Sequence, residues 1–134
     1  MLHVIVGAAA LFVFGAVWYT LLFGKLWAKL SEFSPESQAR MKGMGMAKPM
    51  IMNFVLQLIT AYVVYYLYPQ IIALTFSSFL EKVVLIWFAF SFSVYANQAI
   101  WEGKQWKLVF LNTAYGLISV FIISLIVYYW PVII

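Results

Sequence analysis

The chain has 134 residues, of which 66% are hydrophobic, 20% are aromatic and only 9% are charged, and its net charge is +4. A soluble domain carries about 25% charged residues, and folding at this size buries only roughly 70% of the surface that the unfolded chain exposes. The composition therefore excludes a water-soluble fold and predicts an integral membrane protein of one domain, residues 1–134.

Long stretches without Asp, Glu, Lys or Arg set the number of membrane-spanning segments. A helix needs about 20 apolar residues to cross about 30 Å of hydrocarbon, and four uncharged stretches reach or approach that length. They are apolar on every face instead of alternating, which favours helices over the strands of a barrel. We predict an all-α fold with four transmembrane helices, at about residues 2–24, 49–70, 80–101 and 107–130.

The first of these helices is expected to be retained. A secretory signal has a basic segment before its apolar core and small residues at its end. Here nothing basic precedes the core, and the run ends in Trp18, Tyr19 and Phe23.

Residues 25–48 form the longest polar connector. Ser34, Pro35 and Glu36 are typical of a helix start, with Ser as the N-cap and Pro at the first helical position, and the Gly-Met-Gly-Met run at 43–46 should end that short helix. We interpret the connector mainly as a solvated loop that carries topology signals. A helix lying on the membrane surface and a methionine-rich partner surface are the alternatives.

The basic residues are distributed unevenly between the connectors. Seven lie between helices 1 and 2 or between helices 3 and 4, and only Lys82 lies between helices 2 and 3. The positive-inside rule then predicts that connector 25–48 is cytoplasmic and that both termini lie outside. We expect the bacterial inner (cytoplasmic) membrane.

A Gly-Lys-x-Trp motif occurs twice, each time where an odd-numbered helix reaches the predicted cytoplasmic face. We expect the glycine to end the helix, the lysine to face headgroups and the tryptophan to anchor the interface. The residues of the two copies are Gly24, Lys25, Trp27, Gly103, Lys104 and Trp106.

Helices 2 and 4 also resemble each other, because each ends in a tyrosine-rich run followed by a proline, Pro69 or Pro131, that can stop the helix. The chain can therefore be read as two related helical hairpins in parallel orientation, residues 1–70 and 80–132. The alternative is that interface anchoring alone produces the likeness.

Side-chain amides form a predicted polar layer near the cytoplasmic ends of three helices. The residues of this layer are Asn53, Gln57, Asn97, Gln98 and Asn112. At 1.5 Å per residue the three asparagines share a depth of roughly 5–8 Å below the boundary. Amides cannot be left unsatisfied in lipid, so we expect them to point inward, either as structural hydrogen bonds between helices or as a small polar cavity open to the cytoplasm.

One face of helix 3 extends this layer, because polar residues follow one another there at helical spacing. These residues are Ser91, Tyr95, Gln98 and Glu102. On helix 4, Gly116 and Ser119 lie beside Asn112 and form a small-residue face suited to close helix contact.

The segment GAVWYTLLFGKLW, residues 15–27, resembles the signature of a family of small four-helix membrane proteins known as domain of unknown function 1761. The later segment WEGKQWKLVFLNTAYGLISVFIISLIVYYW fits the family pattern more loosely. The signature residues in this chain are Gly15, Trp18, Tyr19, Phe23 and Glu102. The resemblance implies four membrane helices and no particular activity.

The residues favour a non-enzymatic membrane protein that self-associates or joins a complex as a helical bundle. The alternative is a small oligomeric transporter or channel that uses the polar layer. An enzyme is not expected, because the chain has no Cys, no Asp and only His3, which leaves no catalytic pair, metal cage or cofactor site. The expected partners are the lipid bilayer and a second copy or another membrane protein, and not nucleic acid.

Overall fold

The computed structural model describes residues 1–71 and 73–133, and the side chains of this part up to residue 130. The described part contains no strand. Its α-helices are α1 (Leu2–Ala16), α2 (Gly24–Ser31), α3 (Pro35–Met44), α4 (Ala47–Leu67), α5 (Phe76–Trp87), α6 (Ser93–Glu102) and α7 (Trp106–Ile133). Two π-helical segments, Val17–Leu22 and Phe88–Phe92, continue α1 and join α5 to α6, and a 3-10 turn, Tyr68–Gln70, follows α4.

Within the described residues, four helical segments are long and apolar enough to cross a membrane, which confirms the predicted all-α class. We call them span 1 (Leu2–Leu22), span 2 (Ala47–Gln70), span 3 (Phe76–Glu102) and span 4 (Trp106–Trp130). Span 3 begins earlier than predicted because the Thr75 side chain caps it by accepting the Ser78 N–H at 3.2 Å. Lys82, whose charge displaced the predicted start, donates to the Ser78 hydroxyl within the helix.

Pro131 does not stop span 4, and the predicted stop is wrong. Helix α7 continues to Ile133, so Pro131 lies within its last turn and not beyond its end. Pro69 lies in the 3-10 turn that follows α4.

The connector 25–48 contains two helices. Helix α3 begins as predicted, with the Ser34 hydroxyl accepting the Ser37 N–H at 3.1 Å, and it ends at Gly45, whose φ is +72°. Helix α2 was not predicted. It forms because Phe23, Trp27 and Leu30, spaced four and three residues apart, present one apolar stripe to span 4.

Spans 1 and 4 form the centre of the fold. Helix α1 packs along α4 on one side and along α7 on the other, and α5 and α6 pack on the far side of α7. All four spans meet in one apolar core towards the chain termini, built from Val4, Ala8, Leu11, Ala61, Val64, Phe79, Val83, Val120, Ile123 and Val127. This core closes one end of the structure.

Gly103 ends α6 in the left-handed conformation, with φ +71°. Gly103→Ala is expected to destabilise the protein by about 1 kcal/mol, because a Cβ makes this conformation unfavourable. Gly43→Ala is the matched control, since Gly43 lies within α3 with open space around it, and it should leave stability unchanged or slightly higher. Thermal unfolding in detergent measures both, and equal midpoints would contradict the assignment of Gly103 as a required cap.

Candidate functional site

A cavity opens at the end opposite the apolar core, where span 2 and helix α6 diverge. It has a volume of about 630 Å³, within the roughly 300–1,000 Å³ of small-molecule sites. Spans 1 and 4 form its back, and α2 contributes Trp27. Its polar lining residues are Tyr19, Thr20, Asn53, Gln57, Tyr95, Asn112 and Tyr115, and the others are Phe12, Gly15, Ala16, Trp27, Met46, Pro49 and Met50.

The π-helical segment of span 1 shapes the back wall. The wider turn lets the Phe23 N–H donate to the Trp18 carbonyl, five residues back, at 2.9 Å. Trp18 is buried among Leu30, Leu108 and Leu111, whereas Tyr19, the next residue, faces the cavity. The segment thus places one aromatic side chain in the packing and its neighbour in the site.

Gly24 stands where this π turn ends, and it does not terminate a helix as predicted. It begins α2, and a Cβ at this position would lie 3.0 Å from the Tyr19 carbonyl oxygen. The glycine therefore permits a close backbone approach between α2 and the π turn. The second copy of the motif differs, since Gly103 ends α6 and Trp106 begins α7.

The two motif copies lie at the same end of the molecule. The Gln105 amide donates to the Glu32 carboxylate at 2.6 Å, which joins the end of α2 to the turn before α7. Lys25 and Lys104 are both exposed. Trp27, however, lines the cavity and Trp106 is 48% exposed, so the two tryptophans lie in different environments. The relation of the two hairpins stays a prediction.

A hydrogen bond joins spans 1 and 4 across the back of the cavity. The Tyr19 hydroxyl donates to Asn112 Oδ1 at 2.6 Å. The Tyr19 ring also packs edge to face on Tyr115 at 5.0 Å and on Trp27 at 5.5 Å. Asn112 is thus one amide of the predicted layer that points inward and binds another span.

Span 2 supplies two further amides of the predicted layer. Gln57 Nε2 donates to Asn53 Oδ1 at 3.2 Å, one helical turn away. Both residues line the cavity. Their hydrogen bond stays within α4, so this pair faces Asn112 across the cavity and does not bind it.

Asn97 corrects the predicted layer. Its side chain is exposed, it does not line the cavity, and Tyr95 takes the inward position on α6. At 3.6 residues per turn, Asn97 lies about 200° around the helix from Tyr95, so both cannot face the same interior. Gln98 is half-buried but also lies outside the cavity lining. The three asparagines therefore do not all face one cavity, and their equal depth in the membrane stays a prediction.

Two residues of the family signature line the cavity, and two more pack beside it. Gly15 and Tyr19 line the cavity, and Phe23 packs on Trp18 with ring centroids 4.4 Å apart. A Cβ at Gly15 would lie 2.9 Å from the Tyr115 hydroxyl, so glycine makes room for that ring. Glu102 is the exception, because it is exposed at the end of α6.

The amides of the site were predicted from the sequence, but the meeting of its three tyrosines was not. Tyr95 was placed on the inward stripe of helix 3. Tyr19 was assigned to the inner end of helix 1 and to the family signature, and Tyr115 only to the later segment that fits the family pattern. Within the described residues no group of three or more His, Cys, Asp or Glu side chains could hold a metal ion.

The hydrogen bond between Tyr19 and Asn112 predicts a non-additive pair. In a double-mutant cycle, Tyr19→Phe and Asn112→Leu should couple by about 1 kcal/mol, the scale of hydrogen bonds between membrane helices. Asn97→Leu and Asn112→Leu should instead add to within about 0.5 kcal/mol, because they lie on separate faces. Unfolding in detergent measures both cycles, and a larger coupling for the second pair would restore the three-asparagine cluster.

Comparison with known proteins gives one match. A family model described as "Protein of unknown function (DUF1761)" matches residues 2–128, which confirms the resemblance drawn from residues 15–27. No curated protein and no solved structure matches the chain.

Proposed function

The chain belongs to the DUF1761 family, whose description names no activity, and from this premise we propose that it is a non-enzymatic membrane protein that binds a small molecule. The binding site is the cavity between span 2 and α6. The observation that carries this proposal is a cavity of about 630 Å³ with seven polar side chains set in an otherwise apolar lining. Small-molecule sites are typically apolar pockets in which a limited number of polar groups point towards the ligand.

The shape of the site favours a ligand site that is open at one end over a channel that conducts through the protein. The apolar core of all four spans lies between the cavity and the chain termini, and a channel needs a continuous polar path. This conformation therefore supports a receptor, or one state of a carrier that must open elsewhere to release its ligand.

A non-enzymatic role is supported by the chemistry of the lining. The cavity contains no His, Cys, Asp or Glu, so its residues offer no acid-base pair at neutral pH. His3 packs on Tyr65, with ring centroids 4.2 Å apart, in the part of spans 1 and 2 that leads away from the cavity.

Binding can be tested with a cavity-filling variant and a matched control on the same helix. Asn53 is exposed at the edge of the cavity, whereas Leu56 is exposed outside its lining. Equilibrium dialysis of nanodisc-embedded protein against anthracene-based probes should show binding above empty nanodiscs for the wild type and Leu56→Trp. Asn53→Trp should lose at least about tenfold in affinity, since it occupies the site. Equal uptake by all three proteins would contradict the proposal.

For location, we propose the bacterial inner membrane with both termini outside and the cavity towards the cytoplasm, on the strength of the basic connector residues. The chain has no cysteine, so Leu2→Cys and Gln38→Cys each provide a single thiol. In intact cells a membrane-impermeant reagent should label residue 2 and not residue 38. The reverse pattern would invert the topology.

Self-association, with a second copy or another membrane protein as partner, is the second candidate function. It is favoured by the exposure of span 3. Only 6% of its 18-residue apolar stretch is buried, compared with 33% for span 1. Asn97 lies on the exposed side of this span, and a polar side chain in lipid favours contact with another helix. Subunit counting in nanodiscs should show more than one copy, and Asn97→Leu should lower that number. A single copy throughout would exclude the homo-oligomer.

A further inference from the structure

The charge of the cavity lining restricts the ligand that it can hold. None of the lining residues is Asp, Glu, Lys, Arg or His. Moving an ion into a membrane-embedded site is costly unless an opposite charge meets it there. The lining thus favours a molecule without net charge.

The hydrogen-bonding groups left unpaired in the cavity are mostly donors. Asn112 Oδ1 accepts from Tyr19, and Asn53 Oδ1 accepts from Gln57, so the NH₂ groups of both asparagines remain available. The Tyr95 and Tyr115 hydroxyls have no hydrogen-bond partner among the described residues, and Gln57 Oε1 is the remaining amide acceptor. A ligand that satisfies this set must bring acceptor atoms.

The walls of the cavity favour a planar ligand. The Tyr19 ring packs at 66° to Trp27 and at 60° to Tyr115, so three aromatic side chains line this part of the cavity, and aromatic rings pack well on flat apolar groups. Met46 and Met50 line the same space, and their flexible thioethers adapt to the outline of what is bound.

We infer that the cavity binds an uncharged, planar aromatic molecule that carries a carbonyl or similar acceptor group. The acceptor lies against the Asn112 amide, and the ring lies among Tyr19, Trp27 and the two methionines. This inference rests on the proposed function and specifies its ligand class.

Three probes with one ring system test the inference: anthracene-2-carboxamide, anthracene-2-carboxylate and 2-(aminomethyl)anthracene in its ammonium form. Equilibrium dialysis against nanodisc-embedded protein, corrected by empty nanodiscs, should show that the neutral amide binds at least about tenfold more tightly than either ion. Asn112→Leu should weaken amide binding about tenfold, and Tyr95→Phe, which removes only a hydroxyl, should weaken it several-fold. Asn97→Leu should leave it unchanged, since Asn97 lies outside the cavity.

The outcomes separate the two proposals. If the carboxylate or the ammonium probe binds as tightly as the amide, and Asn112→Leu or Tyr95→Phe weakens that binding, the ligand class is wrong and the binding function stands. If no probe binds above empty nanodiscs, or if neither cavity variant changes the binding, the proposed function itself is overturned.

Discussion

Gly116→Val is expected to destabilise the folded protein by about 3 kcal/mol, the upper part of the range for overpacking. Gly116 is buried on α7, and a Cβ there would lie 2.7 Å from Cζ2 and 2.9 Å from Nε1 of Trp87. The Trp87 ring is rigid and packs against the apolar core, so it cannot yield at its tip. Spans 3 and 4 must separate to admit the side chain. Thermal unfolding in detergent should therefore show a clearly lower midpoint temperature for the variant.

Gly7→Ala is the informative comparison. A Cβ at Gly7 would meet Ile123 Cδ1 at 2.5 Å, but that atom is the end of a flexible side chain that can rotate away. We expect a loss within about 1 kcal/mol, since alanine also favours the helix over glycine by about that amount. If the Gly116 variant were no worse than the Gly7 variant, the rigid contact between α7 and Trp87 would not control the packing of span 3.

The number and class of the helices could be predicted because lipid restricts the backbone to a few solutions. Uncharged runs are sufficient to locate spans under that restriction. Local ends were predictable only where one residue acts on the adjacent chain. The Ser34 hydroxyl caps α3, and Gly103, which has no Cβ, adopts the left-handed conformation that ends α6. The early start at Thr75 was missed because two charged residues, Glu81 and Lys82, lie within the first two turns of the span.

The π-helical segments could not be predicted from the sequence pattern. Val17–Leu22 carries no charged residue, and no capping residue or proline marks it. Its effect is seen only in the packed structure, where Trp18 packs among Leu30, Leu108 and Leu111 and Tyr19 enters the cavity. Gly24 looked like a helix end for the same reason, because the Tyr19 carbonyl that it approaches could not be anticipated.

The direction in which the amides of the polar layer point was predictable only in part. Asn53, Gln57 and Asn112 face the cavity as expected. Asn97 faces away, which the spacing from Tyr95 already required on an ideal helix. The hydrogen bond from Tyr19 to Asn112 depends on which helices are neighbours, and sequence spacing carries no information on that.

Water should enter the cavity from one end, because the apolar core closes the other. Thiol modification tests this most directly, since the chain has no cysteine of its own. Gln57 lines the cavity, whereas its neighbour Leu56 is exposed on the outer face of α4. Ser124 is fully buried in α7. Single cysteines at these positions therefore sample the cavity, the outer face and the interior in one protein.

The measurement is the rate at which a charged methanethiosulfonate modifies each cysteine in protein reconstituted into bilayers. Thiols react as thiolates, which need water, so we expect Gln57→Cys to react about 100-fold faster than Leu56→Cys in lipid or Ser124→Cys in the packed interior. Anthracene-2-carboxamide should slow only the reaction at residue 57. Equal rates at residues 56 and 57, or rapid modification at residue 124, would contradict a one-ended cavity between span 2 and α6.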